Sequence, residues 1–167
     1  TVNSNLSVNL LDTNLGMIMR AMHGFDISVM GISETNAKPG SVLTDSKGIA
    51  ERGIAGLKYM SLWAFMPKGR ATGGGTSLVW DARIPHRDAY TSPSGRLAAI
   101  TLCGPKQSHL RVISVYAPAN PDAEPDVVRQ LYKDLLNQRS FARRNHVPCM
   151  VMGDFNDVPV GNLAFAK

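Results

Sequence analysis

The chain has 167 residues, 44% of them hydrophobic and 19% charged. That composition suits one domain with its own core and excludes a disordered chain, and no apolar run is long enough to span a bilayer. Eighteen Lys and Arg against 13 Asp and Glu leave a net charge of +5, which favours an anionic partner such as nucleic acid, and the short apolar runs lead us to expect no membrane partner.

In chain order, Val2, Leu6 and Val8 alternate with polar residues as in a first strand frayed into a loop. Leu15, Ile18, Met19 and Met22 have helical spacing, and Gly24 stops that helix. Phe25 to Ile32 then reads as a mostly apolar strand ending at Ser33-Glu34-Thr35-Asn36. Strand, helix, strand is the crossover that parallel pairing needs, so Glu34 is expected at a C-terminal strand end. Residues 37 to 56 read as a loop with a short helical turn near Ile49 to Ile54, and Lys58 to Met66 as a strand with Trp63 and Phe65 on one face.

Gly73-Gly-Gly75 is a turn before the strand Thr76 to Trp80; it lacks the Lys-Ser/Thr of a nucleotide loop and no clear helix follows. Arg87 to Tyr90, Arg96 to Leu102 and His109 to Tyr116 are three more strands, and the tight turns between them predict antiparallel hairpins. After Ala117-Pro-Ala-Asn120-Pro, a helix carries Val127, Val128, Leu131, Leu135 and Leu136 as its apolar stripe, with Arg129, Lys133, Arg139, Arg143 and Arg144 toward water. The last strand, Pro148 to Met152, is almost wholly apolar and reads as covered on both faces. Cys103 and Cys149 both lie in such runs and read as buried thiols, which implies a reducing, intracellular compartment, nuclear or cytoplasmic.

Gly153 lets the chain turn where that strand emerges, and Asp154, Asn156 and Asp157 follow within four positions. In an extended chain Asp154 and Asn156 point the same way. They can cap the strand as an Asp/Asn turn, or hold a water or metal on one side and an anion on the other. Three strands thus deliver polar groups toward one sheet edge: Glu34, then Tyr116 with Asn120, then Asp154 with Asn156. Carboxylates that meet in space repel unless a cation or proton intervenes, and Mg²⁺ (or Mn²⁺) takes such oxygen ligands together with substrate phosphate. A phenol and an amide beside them can hydrogen-bond phosphate oxygens as charge builds there. The chemistry implied is attack of water on a phosphoester.

Ser33-Glu34-Thr35, Val115-Tyr-Ala-Pro118 and Gly153-Asp-Phe-Asn156 stand in the order and approximate spacing of the endonuclease/exonuclease/phosphatase superfamily. Thr76 to Trp80 after the glycines and the Ser94-Gly-Arg96 turn are similar to it too, so nearly the whole chain resembles that family. Within it the chain looks most like apurinic/apyrimidinic endonucleases, above all the endonuclease domains of non-LTR retrotransposons. The resemblance implies a four-layer α/β sandwich of two mixed β-sheets flanked by helices (DNase I-like), with residues 1–167 forming one such domain incomplete at the C-terminus.

It also implies roles. Glu34 is the metal ligand, with Asn3, in the remnant of the family's opening Asn-containing strand, as a second metal-site residue. Tyr116 contacts the scissile phosphate, Asp154 orients or deprotonates the attacking water, and Asn156 helps hold the phosphate. Asn120 is a further phosphate contact, although the family's Asn directly after Tyr-x-Pro falls here on Ala119. The family's closing Asp–His pair has no match among His23, His86, His109 and His146. The expected activity is metal-dependent nicking of DNA; a phosphomonoesterase acting on inositol phosphates or lipids, and an inactive relic or binding module, are the alternatives. A chain cut short would leave open sheet edges and pair with other copies, or need its missing C-terminal segment. Sizing chromatography checks this: self-association is expected, and a sharply monodisperse monomer would count against it.

Overall fold

The computed structural model describes residues 15–42, 44–54, 56–69 and 73–156. Eight strands form two four-stranded sheets. The first holds β1 (Val29–Ser33), β2 (Ile49–Ile54), β3 (Leu57–Ala64) and β4 (Thr76–Asp81) in the spatial order β1-β4-β3-β2, every pair antiparallel. The second holds β5 (His86–Thr91), β6 (Leu97–Cys103), β7 (His109–Tyr116) and β8 (Cys149–Asp154) in sequence order. Its hairpins β5–β6 and β6–β7 are antiparallel, as the tight turns imply, and β7–β8 is parallel across a helical crossover.

Alternation along the strands explains the layering. Leu62, Leu78 and Trp80 face inward and meet Ala98, Ile100 and Val112 of the second sheet, making the central core. The residues between them point outward: Trp63 and Val79 pack beneath the helix α1 (residues 15–24 among those described), on Leu15, Met19 and Met22. Ala99, Ile113 and Val115 pack beneath α2 (Pro125–Arg144), on Leu131 and Leu135. The result is helix, sheet, sheet, helix, the four-layer order expected. In α2 Pro occupies the first turn with Asp126, and Arg143 and Arg144 occupy the last, each where the backbone amides or the helix dipole favour it.

Several expectations are corrected. Ile49 to Ile54 is strand β2, not a helical turn: the Asp45 carboxylate accepts the Lys47 and Ile49 N–H groups (2.8 and 2.9 Å) and aims the chain into a six-residue register with β3. Long-range pairing there outweighs local preference. Pro148 to Met152 does enter β8, but Met150 and Val151 are 45% and 39% exposed. The cause is position: β8 is the outer strand of its sheet among the described residues, and α2 packs over β6 and β7 instead. For the same reason the Cys149 thiol is exposed rather than buried, and Cys103 is half-buried; both cysteines are free. Leu136 faces solvent, because the inner line of α2 runs through Leu131, Asp134, Gln138 and Ala142. The expected strand near Val2 to Val8, and with it the first parallel crossover, lies outside the described residues.

Gly31 sits where the two sheets approach closely. A Cβ on it would lie 3.0 Å from the Met152 Cγ and Sδ and the Ser114 Oγ. Gly31→Val is therefore expected to cost about 1–3 kcal/mol by wedging the sheets apart, read as a lowered midpoint in denaturant unfolding.

Candidate active site

Parallel pairing of β7 with β8 sets Tyr116 directly opposite Asp154, so both leave the second sheet at the same end. Gly153, at φ 136, is what allows this: a Cβ there would run into the Val115 carbonyl of the neighbouring strand. The first sheet brings Glu34 to the same end through a single hydroxyl. Ser33 Oγ donates to the Val115 carbonyl (3.2 Å) and accepts the Asp154 N–H (3.1 Å), joining β1 to β7 and β8 across the sheets. Just inside, Thr76 Oγ1 lies 2.7 Å from Ser114 Oγ and donates to the Ile32 carbonyl (3.0 Å). The Ser114 hydroxyl is then the donor toward Thr76, and both buried groups are satisfied.

Glu34 is exposed and has a left-handed backbone, φ 52, unusual for its residue type. The turn 73–75 holds it there. Thr35 N–H donates to the Gly75 carbonyl and Asn36 N–H to the Gly74 carbonyl (3.1 and 2.9 Å), while Asn36 Oδ1 accepts the Gly73 and Gly74 N–H groups (3.0 and 3.4 Å). The glycine run is thus a turn, as its sequence implies, and it braces the Glu34 loop.

The structure brings Glu34, Tyr116 and Asp154 together. Burial raises the Tyr116 phenol above its usual pKa, the charges of Glu34 and Asp154 and a hydrogen-bonding interaction with Glu34 add to this, and Arg96 works against them. The phenol therefore stays protonated, and a hydrogen-bond donor, through neutral pH. Asn156, at φ 39, donates its N–H to Asp154 Oδ1 (2.9 Å) and its Nδ2 to the Ala117 carbonyl (2.7 Å), so Asp154 and Asn156 form the Asp/Asn turn at the strand end. Asn120 sits one loop away and accepts the Ala123 N–H (3.2 Å) before α2. Among the described residues no hydrogen bond joins it to Glu34, Tyr116 or Asp154. Asn3 lies outside the described residues.

Ser33, Asn36 and Arg96 were not singled out from sequence as site residues. Ser33 had a signal, being adjacent to Glu34; the contacts of Asn36 and Arg96 link positions more than 20 residues apart and leave no local pattern. A cleft of about 380 Å³ opens beside Glu34, walled by Leu15, Ile18, Ile32 and Trp63. The histidines stand elsewhere: His86 packs edge-on against Trp80 with its pKa lowered by burial, His23 is in the last turn of α1, and His109 and His146 lie at the far ends of β7 and β8.

Residues 9–162 match the model of the Endonuclease/Exonuclease/phosphatase family. The chain belongs to this family. Members are in general phosphoester hydrolases that depend on a divalent cation. No curated protein matches the chain. Among solved structures, the human Nocturnin catalytic domain with bound sulfate anion superposes at a TM-score of 0.51 with 14% identity, over 85% of this chain and 56% of its own length. That likeness shows the DNase I-like fold, and the chain spans just over half of that domain. No helix among the described residues is long and apolar enough to cross a membrane.

Ser33→Ala removes the two bonds that tie β1 to β7 and to β8. A loss of about 1–2 kcal/mol is expected, with faster hydrogen exchange at the Asp154 amide as the local readout.

Proposed function

We propose that this chain is the site-bearing part of a metal-dependent phosphodiesterase that nicks DNA, of the kind found in the endonuclease domains of non-LTR retrotransposons. The observation that supports it best is the meeting of two carboxylates, Glu34 and Asp154, around one neutral phenol at the joined ends of both sheets. The order Ser33-Glu34-Thr35, Val115-Tyr-Ala-Pro118, Gly153-Asp-Phe-Asn156 and the net charge of +5 support a nucleic-acid substrate over a small neutral one.

Glu34, with Asn3 and the neighbouring Asp154, would hold the cation. An all-oxygen donor set with two carboxylates fits Mg²⁺ or Mn²⁺, which keep their other positions for water and phosphate oxygens. Among the described residues no third His, Cys, Asp or Glu joins them. When bound, the cation supplies positive charge to the phosphate oxygens. Asp154 orients a water in line with the phosphorus and takes its proton as the new O–P bond forms and the bond to the leaving sugar oxygen breaks. The Tyr116 phenol donates to a non-bridging oxygen as charge builds on it. Asn156 holds the Asp154 turn and offers its amide to the phosphate. Asn120 stands back from this group and serves the substrate only at the rim.

A second reading, a non-catalytic nucleic-acid-binding module, is favoured by one observation: none of the described histidines lies at this end of the sheets. Plasmid nicking separates the two. Supercoiled DNA with Mg²⁺ is offered to the chain, to the longest natural polypeptide containing it, and to their Asp154→Ala variants. Nicking that Asp154→Ala lowers by about 10²–10⁴-fold supports the enzyme. Binding without nicking, equal in wild type and variant, supports the module.

A further inference from the structure

Arg96 is 2% exposed, one of the largest fully buried side chains of the chain, and it carries a charge. A buried guanidinium costs free energy unless the surroundings use its donors, and here one of them goes to Tyr116 and another to Gly73. Arg96 Nη1 donates to the Tyr116 carbonyl (3.2 Å), and the Tyr116 N–H donates to the Arg96 carbonyl (2.9 Å). The guanidinium carbon stands 5.1 Å from the centroid of the Tyr116 ring, within cation–π range. Tyr116 is thus gripped at its N–H, its carbonyl and its ring face by one residue.

The far side of the same guanidinium is anchored. Nη2 donates to the Gly73 carbonyl (3.1 Å) and faces Glu124 Oε2 at 3.6 Å, just before α2. Gly73 is the residue whose N–H is accepted by Asn36, two positions after Glu34. The backbone of Arg96 is itself fixed, since Ser92 Oγ accepts the N–H groups of Arg96 and Leu97 (3.1 and 3.0 Å). A continuous chain of contacts therefore runs from the Glu34 loop through Asn36, Gly73 and Arg96 to Tyr116.

We propose that Arg96 is a positioning residue for the candidate site: its planar guanidinium sets the distance and orientation of the Tyr116 phenol relative to the Glu34 loop. A simple strand staple would need no charge, and a neutral side chain would cost less to bury. A planar fork bonding two carbonyls while lying over a ring is available to Arg and not to Lys.

The proposal rests on the reading of Tyr116 as a site residue, and its test has an arm that needs no catalysis. The aromatic NMR shifts of the Tyr116 ring, assigned with Tyr116→Phe as the blank, are compared in wild type, Arg96→Lys and Arg96→Met. Both variants are expected to change the ring shifts, Arg96→Lys because it keeps the charge without the fork. Where wild type nicks DNA, Arg96→Lys is expected to lower kcat by up to about a hundredfold, with KM little changed. Unchanged ring shifts and unchanged kcat in Arg96→Lys would overturn the proposal, and these stand as the test even where Arg96→Met fails to fold. A wild type that never nicks removes the nuclease reading alone; the ring shifts still decide the role of Arg96.

Discussion

A single hydroxyl group ties the two sheets together at the end where Glu34, Tyr116 and Asp154 emerge. Ser33 Oγ has one proton and spends it on the Val115 carbonyl, while a lone pair accepts the Asp154 N–H. Two sheets stacked face to face normally meet through apolar side chains alone, and such contacts hold them together without fixing their relative slide. Directional bonds at one end supply what burial lacks. Thr76 and Ser114 repeat the device one step deeper, inside a core otherwise built of Leu62, Leu78, Trp80, Ile100 and Val112. Among the described residues this polar seam lies at the end where Glu34, Tyr116 and Asp154 emerge. Registration of three strands from two sheets is accurate there and left to packing elsewhere.

The rim above that seam departs from regular backbone. Glu34, Asn36 and Asn156 all take positive φ, which costs free energy for residues with a Cβ and least for Asn. Each is held by bonds from neighbours: Asn36 by the glycine turn, Asn156 by Asp154 and Ala117. A rigid sandwich thus carries a bent rim whose shape is set by specific hydrogen bonds, the arrangement expected where side chains must converge on one small group.

Much of this was legible in the sequence. The apolar stripe of α2, the hairpins from β5 to β7 and the parallel return into β8 all follow from periodicity and turn residues, and with them the shared exit of Tyr116 and Asp154. What stayed hidden depended on partners far along the chain. The segment Ile49 to Ile54 has no alternation strong enough to announce a strand, and becomes one because β3 offers a register. The run before Gly153 is as apolar as a buried strand, yet α2 packs over β6 and β7 rather than over it, so sequence recorded its composition and not its neighbours. Arg96 read as the end of a turn and the start of a strand, because its value lies in the Tyr116 ring and the Gly73 carbonyl.

The two tryptophans occupy different layers of the sandwich. Trp63 lies between α1 and the first sheet, its indole N–H donating to Ser61 Oγ at 2.8 Å, while Trp80 lies between the two sheets with His86 against its edge. Their fluorescence is therefore a pair of separately addressable depth gauges. A chain keeping only Trp63 reports the docking of the first helix, and one keeping only Trp80 reports closure of the sheets, so optical spectroscopy can tell whether the layers come apart together or one at a time.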